Sequence, residues 1–229
     1  SRPPAVSTIG RLSDALAKIE QNPFPARLVG PVVAMLEALG PFSGQPNRFV
    51  FDNLWLTGPI VANSMADDSV TNSFVRTTTA LTMFNAGVKE NVVPQMAEAK
   101  VNFRLLPGDT PEMVVNHIED LIEDESIVIS FDRWKRSAPV AQYPGGGFAV
   151  IGEAVKMVYP ESIVVPSLLP GATDSRHYAD VADNHYRFHG VIVNTAQSAS
   201  VHGTNEFISI ESFNKSIEIA VNMMRLGAQ

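Results

Sequence analysis

The spacing of apolar residues predicts helices in five stretches of the chain. In each stretch apolar side chains recur every three or four residues, which places them on one face of a helix. The stretches are residues 6–19, 32–39, 114–122, 148–158 and 210–224. In the last of them Ile210, Phe213, Ile217, Val221 and Met224 are predicted to pack against a sheet.

Alternation of apolar and polar residues predicts an antiparallel sheet in the first half of the chain. Residues 98–106 alternate strictly, which is typical of a half-buried strand. The threonine-rich residues 76–84 and the alternating residues 127–131 predict two further strands. The order strand, strand, helix, strand favours an antiparallel sheet with helices on one face.

A break rich in proline and glycine separates two predicted modules, residues 1–136 and 137–229, with Pro-Gly-Gly-Gly at 144–147. Within the first module, the weakly patterned residues 41–75 are predicted to form an irregular insertion with short helices. The second module contains two apolar runs typical of buried parallel strands, residues 163–169 and 187–194. The expected fold class is therefore α/β, with an α+β first module and part of a parallel α/β domain.

Composition excludes some classes of partner and site. The 17 basic and 24 acidic residues give a net charge of −7, which argues against a nucleic-acid partner. No apolar run reaches the length of about 18 residues that a membrane span needs. The absence of cysteine excludes disulfides and leaves histidine and carboxylate side chains as possible metal ligands. It does not identify the cellular compartment.

Two polar motifs in the second module suggest a site for a metal and an acidic substrate. Residues 171–178 read Gly-Ala-Thr-Asp-Ser-Arg-His-Tyr, and residues 201–206 read Val-His-Gly-Thr-Asn-Glu. The planar guanidinium of Arg176 fits a carboxylate with two parallel hydrogen bonds, and histidine is the commonest metal ligand. A single histidine, His202, cannot hold a metal by itself.

Together with two segments of the first module, these motifs resemble the dinuclear-zinc metallopeptidases that include carboxypeptidase S, the aminoacylases and succinyl-diaminopimelate desuccinylase. The two segments are residues 87–94, ending in Asn-Val-Val-Pro, and residues 99–110. The carboxypeptidase S branch is the most similar. The chain contains no His-x-Asp and no Glu-Glu pair, from which that family draws its other metal ligands. We therefore expect the chain to be the C-terminal part of a longer enzyme.

The resemblance implies a zinc-dependent hydrolase that cleaves peptide or N-acyl amide bonds next to a free carboxylate and holds two zinc ions when intact. It implies that His202 is a metal ligand, that Arg176 reads the substrate carboxylate, and that Asn91 reaches the substrate, often across a dimer. Gly171, Thr173 and Arg104 are further candidates for substrate binding. The first module resembles the family's lid, through which we expect a homodimer.

Each of these residues also has a structural interpretation. Arg176 could pair with Asp174 or Asp180, and Arg104 could pair with Glu98. Thr173 could cap a short helix, Gly171 could serve a turn, and Asn91 could serve another turn. His202 could be an ordinary loop residue, and Glu206 could orient that loop or the histidine, or be solvated. Two hypotheses follow: part of a zinc hydrolase that is inactive by itself, or a non-catalytic module for dimerisation and substrate binding.

Overall fold

The chain divides into two units, Ser1–Lys135 and Arg136–Gln229. The computed structural model describes residues 4–131, 139–171 and 173–228. No helix among these residues has both the length and the apolar character needed to cross a membrane.

The first unit combines helices with one antiparallel hairpin. Its elements are α1 (Thr8–Gln21), α2 (Gly30–Leu39), a short 3-10 helix (Gly40–Phe42), α3 (Asn47–Asp52), α4 (Leu54–Asp67), α5 (Asn72–Val75), β1 (Thr78–Ala86), β2 (Ala97–Arg104) and α6 (Pro111–Ile122). Two helices begin at capping side chains: the hydroxyl of Ser7 accepts from the backbone N–H of Gly10, and that of Thr110 accepts from Met113. The helices predicted at 6–19, 32–39 and 114–122 are confirmed to within a few residues.

Strands β1 and β2 form the antiparallel sheet that the alternating pattern predicts. Their register runs from Thr78 opposite Arg104 to Ala86 opposite Ala97. The third strand, predicted at residues 127–131, is not present in this part of the structure, where the sheet has two strands. The alternation there reflects burial without strand pairing, because Ile127 and Ile129 pack against the core.

The core of the first unit lies between α1, α6 and one face of the hairpin. Its buried residues are Ala15, Ile19, Phe24, Val114, Ile118 and Ile122. Phe103 of β2 and Leu105, which directly follows β2, pack against them. The rings of Phe24 and Phe103 meet edge to face with centroids 6.2 Å apart. The prediction of helices on one face of an antiparallel sheet is confirmed.

Residues 41–75 are more helical than the weak pattern predicted. Helix α4 is fourteen residues long even though Pro59 lies inside it. The Thr57 hydroxyl donates to the carbonyl of Val50, at 2.7 Å, which ties α4 to α3. The pattern is weak because α4 buries mostly small side chains, whereas Trp55 and Ile60 are exposed.

A buried carboxylate joins three distant parts of the first unit. The Asp109 side chain is only 2% exposed and accepts from the guanidinium of Arg27 at 2.8 Å. It also accepts from the Thr77 hydroxyl, and that hydroxyl accepts from the backbone N–H of Leu106 at 2.9 Å. Because buried charge is costly unless it is paired and hydrogen-bonded, this network is expected to contribute strongly to stability.

We predict that Asp109→Ala lowers the free energy of unfolding by about 3 kcal/mol, because it leaves buried polar groups without their partner. The matched control is Asp14→Ala, which breaks an exposed pair with Lys18 on α1. That pair should contribute less than about 0.5 kcal/mol. Urea unfolding of the chain measures both values, and equal losses in the two variants would contradict the prediction.

The second unit is built on two helices that pack against each other. Its elements are α7 (Gly146–Val158), a 3-10 helix (Asp174–Tyr178), α8 (Thr195–Ala199) and α9 (Ile210–Gly227). Ala154 of α7 and Ile219 of α9 are buried where these helices meet. The helices predicted at 148–158 and 210–224 are confirmed.

The two parallel strands predicted in this unit are absent from its described residues. Residues 163–169 and 187–194 have no regular secondary structure and no strand partner. The backbone of Ile192 instead bonds to the Ser212 hydroxyl of α9, through its N–H at 2.7 Å and its carbonyl at 3.1 Å. Gly190 allows this close approach, because a Cβ there would lie 3.1 Å from the Cα of Ser216.

The buried face of α9 differs from the predicted one. Ser212, Ile219 and Asn222 are buried. Four residues predicted to pack inward are exposed instead: Ile210, Phe213, Ile217 and Met224. The predicted sheet is absent from this part of the structure, so the apolar stripe has no sheet to pack against.

Candidate functional site

The start of the second 3-10 helix carries two linked hydroxyl groups. Thr173 caps the helix Asp174–Tyr178, since its Oγ1 accepts from the backbone N–H of Ser175 at 3.3 Å. The two hydroxyl oxygens, Thr173 Oγ1 and Ser175 Oγ, lie 2.6 Å apart. The cap is thus one of the two roles that the sequence allowed for Thr173.

Arg176 follows directly in this helix and is half-buried. Its Nε donates to Nε2 of His177 at 3.2 Å. Within the described residues it forms no ion pair with Asp174 or Asp180, so the structural alternative for this arginine is not observed. The two terminal nitrogens of its guanidinium therefore remain able to bind a carboxylate.

Sequence reasoning missed a second arginine at the same loop. The Nε of Arg187 donates to Ser175 Oγ at 3.0 Å and to Thr173 Oγ1 at 3.3 Å. The sequence assigned residues 187–194 to a buried strand. The available signal was the charge of Arg187 itself, because a cation rarely opens a fully buried strand.

Gly171 precedes these residues in an exposed bend. Its φ is not in the left-handed region, and a Cβ at this position would meet only Leu169 Cγ, at 3.8 Å. The bend therefore does not require glycine for backbone reasons.

His202 lies in an exposed turn whose backbone is held by short contacts. Its φ is +62°, in the left-handed region. Its backbone N–H donates to Glu206 Oε2 at 3.1 Å, and the N–H of Gly203 donates to the carbonyl of Ser200 at 2.8 Å. A Cβ at Gly203 would lie 3.0 Å from that carbonyl oxygen, so glycine permits the close approach. Glu206 thus orients the loop backbone, while the imidazole has no hydrogen bond to the described residues.

The described residues contain no group of three His, Cys, Asp or Glu side chains that could hold a metal ion. A catalytic zinc ion usually takes three protein ligands. His202 and Glu206 provide at most two, and Glu206 is engaged with the His202 backbone. This part of the chain therefore does not fit a zinc ion by itself.

Asn91 and Arg104 belong to the first unit, whereas the loops of Arg176 and His202 belong to the second. Asn91 is exposed in the connection between β1 and β2, inside a turn that is closed by the N–H of Val92 donating to the carbonyl of Lys89 at 3.2 Å. Arg104 ends β2 on its exposed face, opposite Thr78.

Comparison with known proteins gives the family. Residues 1–128 match the family described as a peptidase dimerisation domain. The chain is 37% identical to the N-fatty-acyl-amino acid synthase/hydrolase of Bos taurus, over 99% of this chain and 46% of that protein. It is 31% identical to the probable carboxypeptidase S-like 2 of Dictyostelium discoideum, over 98% and 43%. It is 24% identical to carboxypeptidase S of Saccharomyces cerevisiae, over 92% and 43%. No solved structure matches the chain.

The chain spans somewhat less than half the length of these curated relatives. The relatives are named as hydrolases and carboxypeptidases, and the family match covers more than half of the chain. The sequence-based resemblance is therefore confirmed, and the chain belongs to the M20 peptidase family, whose dimerisation domain matches residues 1–128.

Proposed function

We propose that this chain is the dimerisation and carboxylate-recognition part of a longer zinc-dependent hydrolase that cleaves peptide or N-acyl amide bonds next to a free carboxylate. The relatives' names support the substrate class, because an N-fatty-acyl-amino acid and a carboxypeptidase substrate share one chemical unit. In both, the amide bond to be cleaved lies next to a free carboxylate.

The observation that supports this proposal is that Arg176 has no carboxylate partner among the described residues. Its Nε donates to the imidazole of His177, and no carboxylate of the described residues pairs with its terminal nitrogens. In a chain with net charge −7, an arginine without a counter-ion is suited to a substrate anion. The bidentate geometry of arginine and carboxylate gives both affinity and orientation.

The metal belongs to this proposal as well. Two zinc ions are expected in the longer enzyme, with His202 as one ligand and the others from residues beyond those described here. The exposed imidazole and the turn fixed by Glu206 and Gly203 support that role. Asn91, Arg104, Thr173 and Gly171 remain proposed contributors to substrate binding, Asn91 from the partner subunit.

We predict that the purified 229-residue chain, supplied with zinc, does not hydrolyse N-acyl amino acids or peptides. The reason is that one ligand without partners does not hold a catalytic zinc ion. The longer enzyme, assayed in parallel, should hydrolyse them and lose this activity to a chelator. Chelator-sensitive turnover by the 229-residue chain would contradict the proposal that the other metal ligands lie outside it. Inactivity of both proteins would favour the alternative, a non-catalytic module for dimerisation and substrate binding.

We also predict that the chain forms a homodimer through its first unit. The family match is to a dimerisation domain, and β1 exposes the apolar residues Leu81, Met83 and Phe84. Phe84→Glu should raise the dissociation constant of the dimer at least about tenfold. The two-fold symmetry of a homodimer would place one buried glutamate from each subunit in the same interface. Sedimentation at micromolar concentration measures this. Asn102→Glu on the exposed face of β2 is the control, and a native chain that is monomeric would contradict the prediction.

A further inference from the structure

Three arginines of the first unit differ from two of the second in what their guanidinium groups contact. Arg11, Arg27 and Arg48 each pair with an aspartate within 3.6 Å. Arg176 and Arg187, like Arg76 and Arg225, have no carboxylate partner among the described residues, and they differ from Arg76 and Arg225 in lying at one loop beside two hydroxyl groups. They act at the same loop, because Arg187 bonds to Ser175, the residue directly before Arg176.

The guanidinium of the exposed Arg187 is oriented through one nitrogen. Its Nε donates to the Ser175 and Thr173 hydroxyls, which lie 2.6 Å from each other. Both acceptors are neutral, so they orient the guanidinium without neutralising it. The terminal nitrogens have no hydrogen bond to the described residues and keep the edge that matches a carboxylate.

We infer that Arg187 is a second arginine of the substrate carboxylate site, and that Thr173 and Ser175 are positioning residues that hold its guanidinium. The inference rests on the proposed function and extends it from one carboxylate-binding residue to two. A carboxylate can accept about four hydrogen bonds. Two arginine side chains, each donating two hydrogen bonds, would therefore satisfy all the acceptor sites of one carboxylate. The expected substrates are amides whose carboxylate is unmodified and accessible from two sides.

The orientation of Arg187 before substrate binds should lower the entropy that is lost on binding. A long side chain normally loses rotamer freedom when it binds. Here the hydroxyl pair already orients the guanidinium through Nε, so binding should lose less entropy. Loss of either hydroxyl should therefore weaken substrate binding while Arg187 itself is still present.

The test is steady-state kinetics of the full-length enzyme on an N-acyl amino acid and on its carboxamide analogue. Arg187→Lys should raise KM for the acid at least about tenfold, change kcat by less than about threefold, and leave the amide unaffected. Thr173→Val and Ser175→Ala should each raise KM for the acid about threefold. Thr173→Ser should have the KM of the native enzyme, because serine keeps the hydroxyl. Arg225→Lys, a change at an exposed arginine of α9, is the matched control.

Three outcomes overturn the inference: no change in Arg187→Lys, equal losses on acid and amide, or failure of Thr173→Ser to restore KM. A second measurement separates this inference from the proposed function. In the 229-residue chain, the ¹⁵Nε NMR signal of Arg187 should move when N-acetylglycine is titrated, and it should not move with the carboxamide. If the longer enzyme hydrolyses nothing while this signal moves, the proposed reaction fails and the arginine assignment stands. If the signal does not respond, the assignment fails.

Discussion

In the full-length enzyme, His202→Ala is expected to reduce zinc content by about one ion per subunit and hydrolysis by about a thousandfold. Zinc is held by a small number of nitrogen and oxygen ligands, so the loss of one ligand lowers its affinity steeply. A thousandfold loss corresponds to about 4 kcal/mol of the activation barrier. Metal analysis of the purified variant, together with its turnover, measures both effects.

The structure supplies a matched control for that experiment. His189 is also exposed and lies in the same unit, and His189→Ala should leave zinc content unchanged. Glu206→Gln keeps an oxygen that can accept from the His202 backbone, so it should retain most of the metal. Zinc content in His202→Ala equal to that of the native enzyme would remove His202 from the ligand set.

The second large effect is expected for Arg176→Lys in the full-length enzyme. Lysine keeps the charge but lacks the paired donors, and a hydrogen bond to a charged group contributes roughly 1.5–3 kcal/mol. We therefore expect kcat/KM on an N-acyl amino acid to fall by about 10–100-fold, with zinc content unchanged. Conversion of the substrate carboxylate to an amide should impair the native enzyme by a similar factor.

The coupling between these two changes is the decisive measurement. If Arg176 contacts the carboxylate, the amide substrate should impair Arg176→Lys far less than it impairs the native enzyme. If the two losses multiply, Arg176 has a structural role, and the proposed substrate class loses its main support. Arg225→Lys again serves as control, because it changes the same chemical group away from the loop.

The sequence predicted elements well where burial alone sets the pattern. Helices α1 and α6 bury apolar side chains in a shared core, so their periodicity gives their position, although Val6 and Ile9 at the start of the α1 stripe are exposed. The β1–β2 hairpin was predicted because residues 97–104 alternate between partly buried and exposed side chains. Helix α4 was missed as a long helix because its buried residues, such as Gly58 and Ala62, are small and lack a periodic hydrophobic signal.

The sequence-based predictions were wrong where an apolar pattern needs a neighbouring sheet or strand that the described residues do not contain. The apolar stripe of α9 predicted a buried face, but Ser212 and Asn222 are buried and Phe213 is exposed. The runs at 163–169 and 187–194 predicted strands, but a strand needs a neighbour for its backbone groups, and Ile192 uses the Ser212 hydroxyl instead. The role of Arg187 could not be predicted from local sequence, because its hydrogen-bond partners Thr173 and Ser175 are 14 and 12 residues away.

The core of the first unit has a consequence for the order in which the polypeptide folds during synthesis. Helix α1 leaves the ribosome before α6, the helix against which it packs in the core, and α6 is made about ninety residues later. The Arg27 guanidinium likewise waits for Asp109, 82 residues away. Contacts between such distant segments form slowly, because a long loop must close first. The nascent first unit therefore exposes the apolar face of α1 until translation has passed Ile122, which makes this interval the period when a chaperone is most useful.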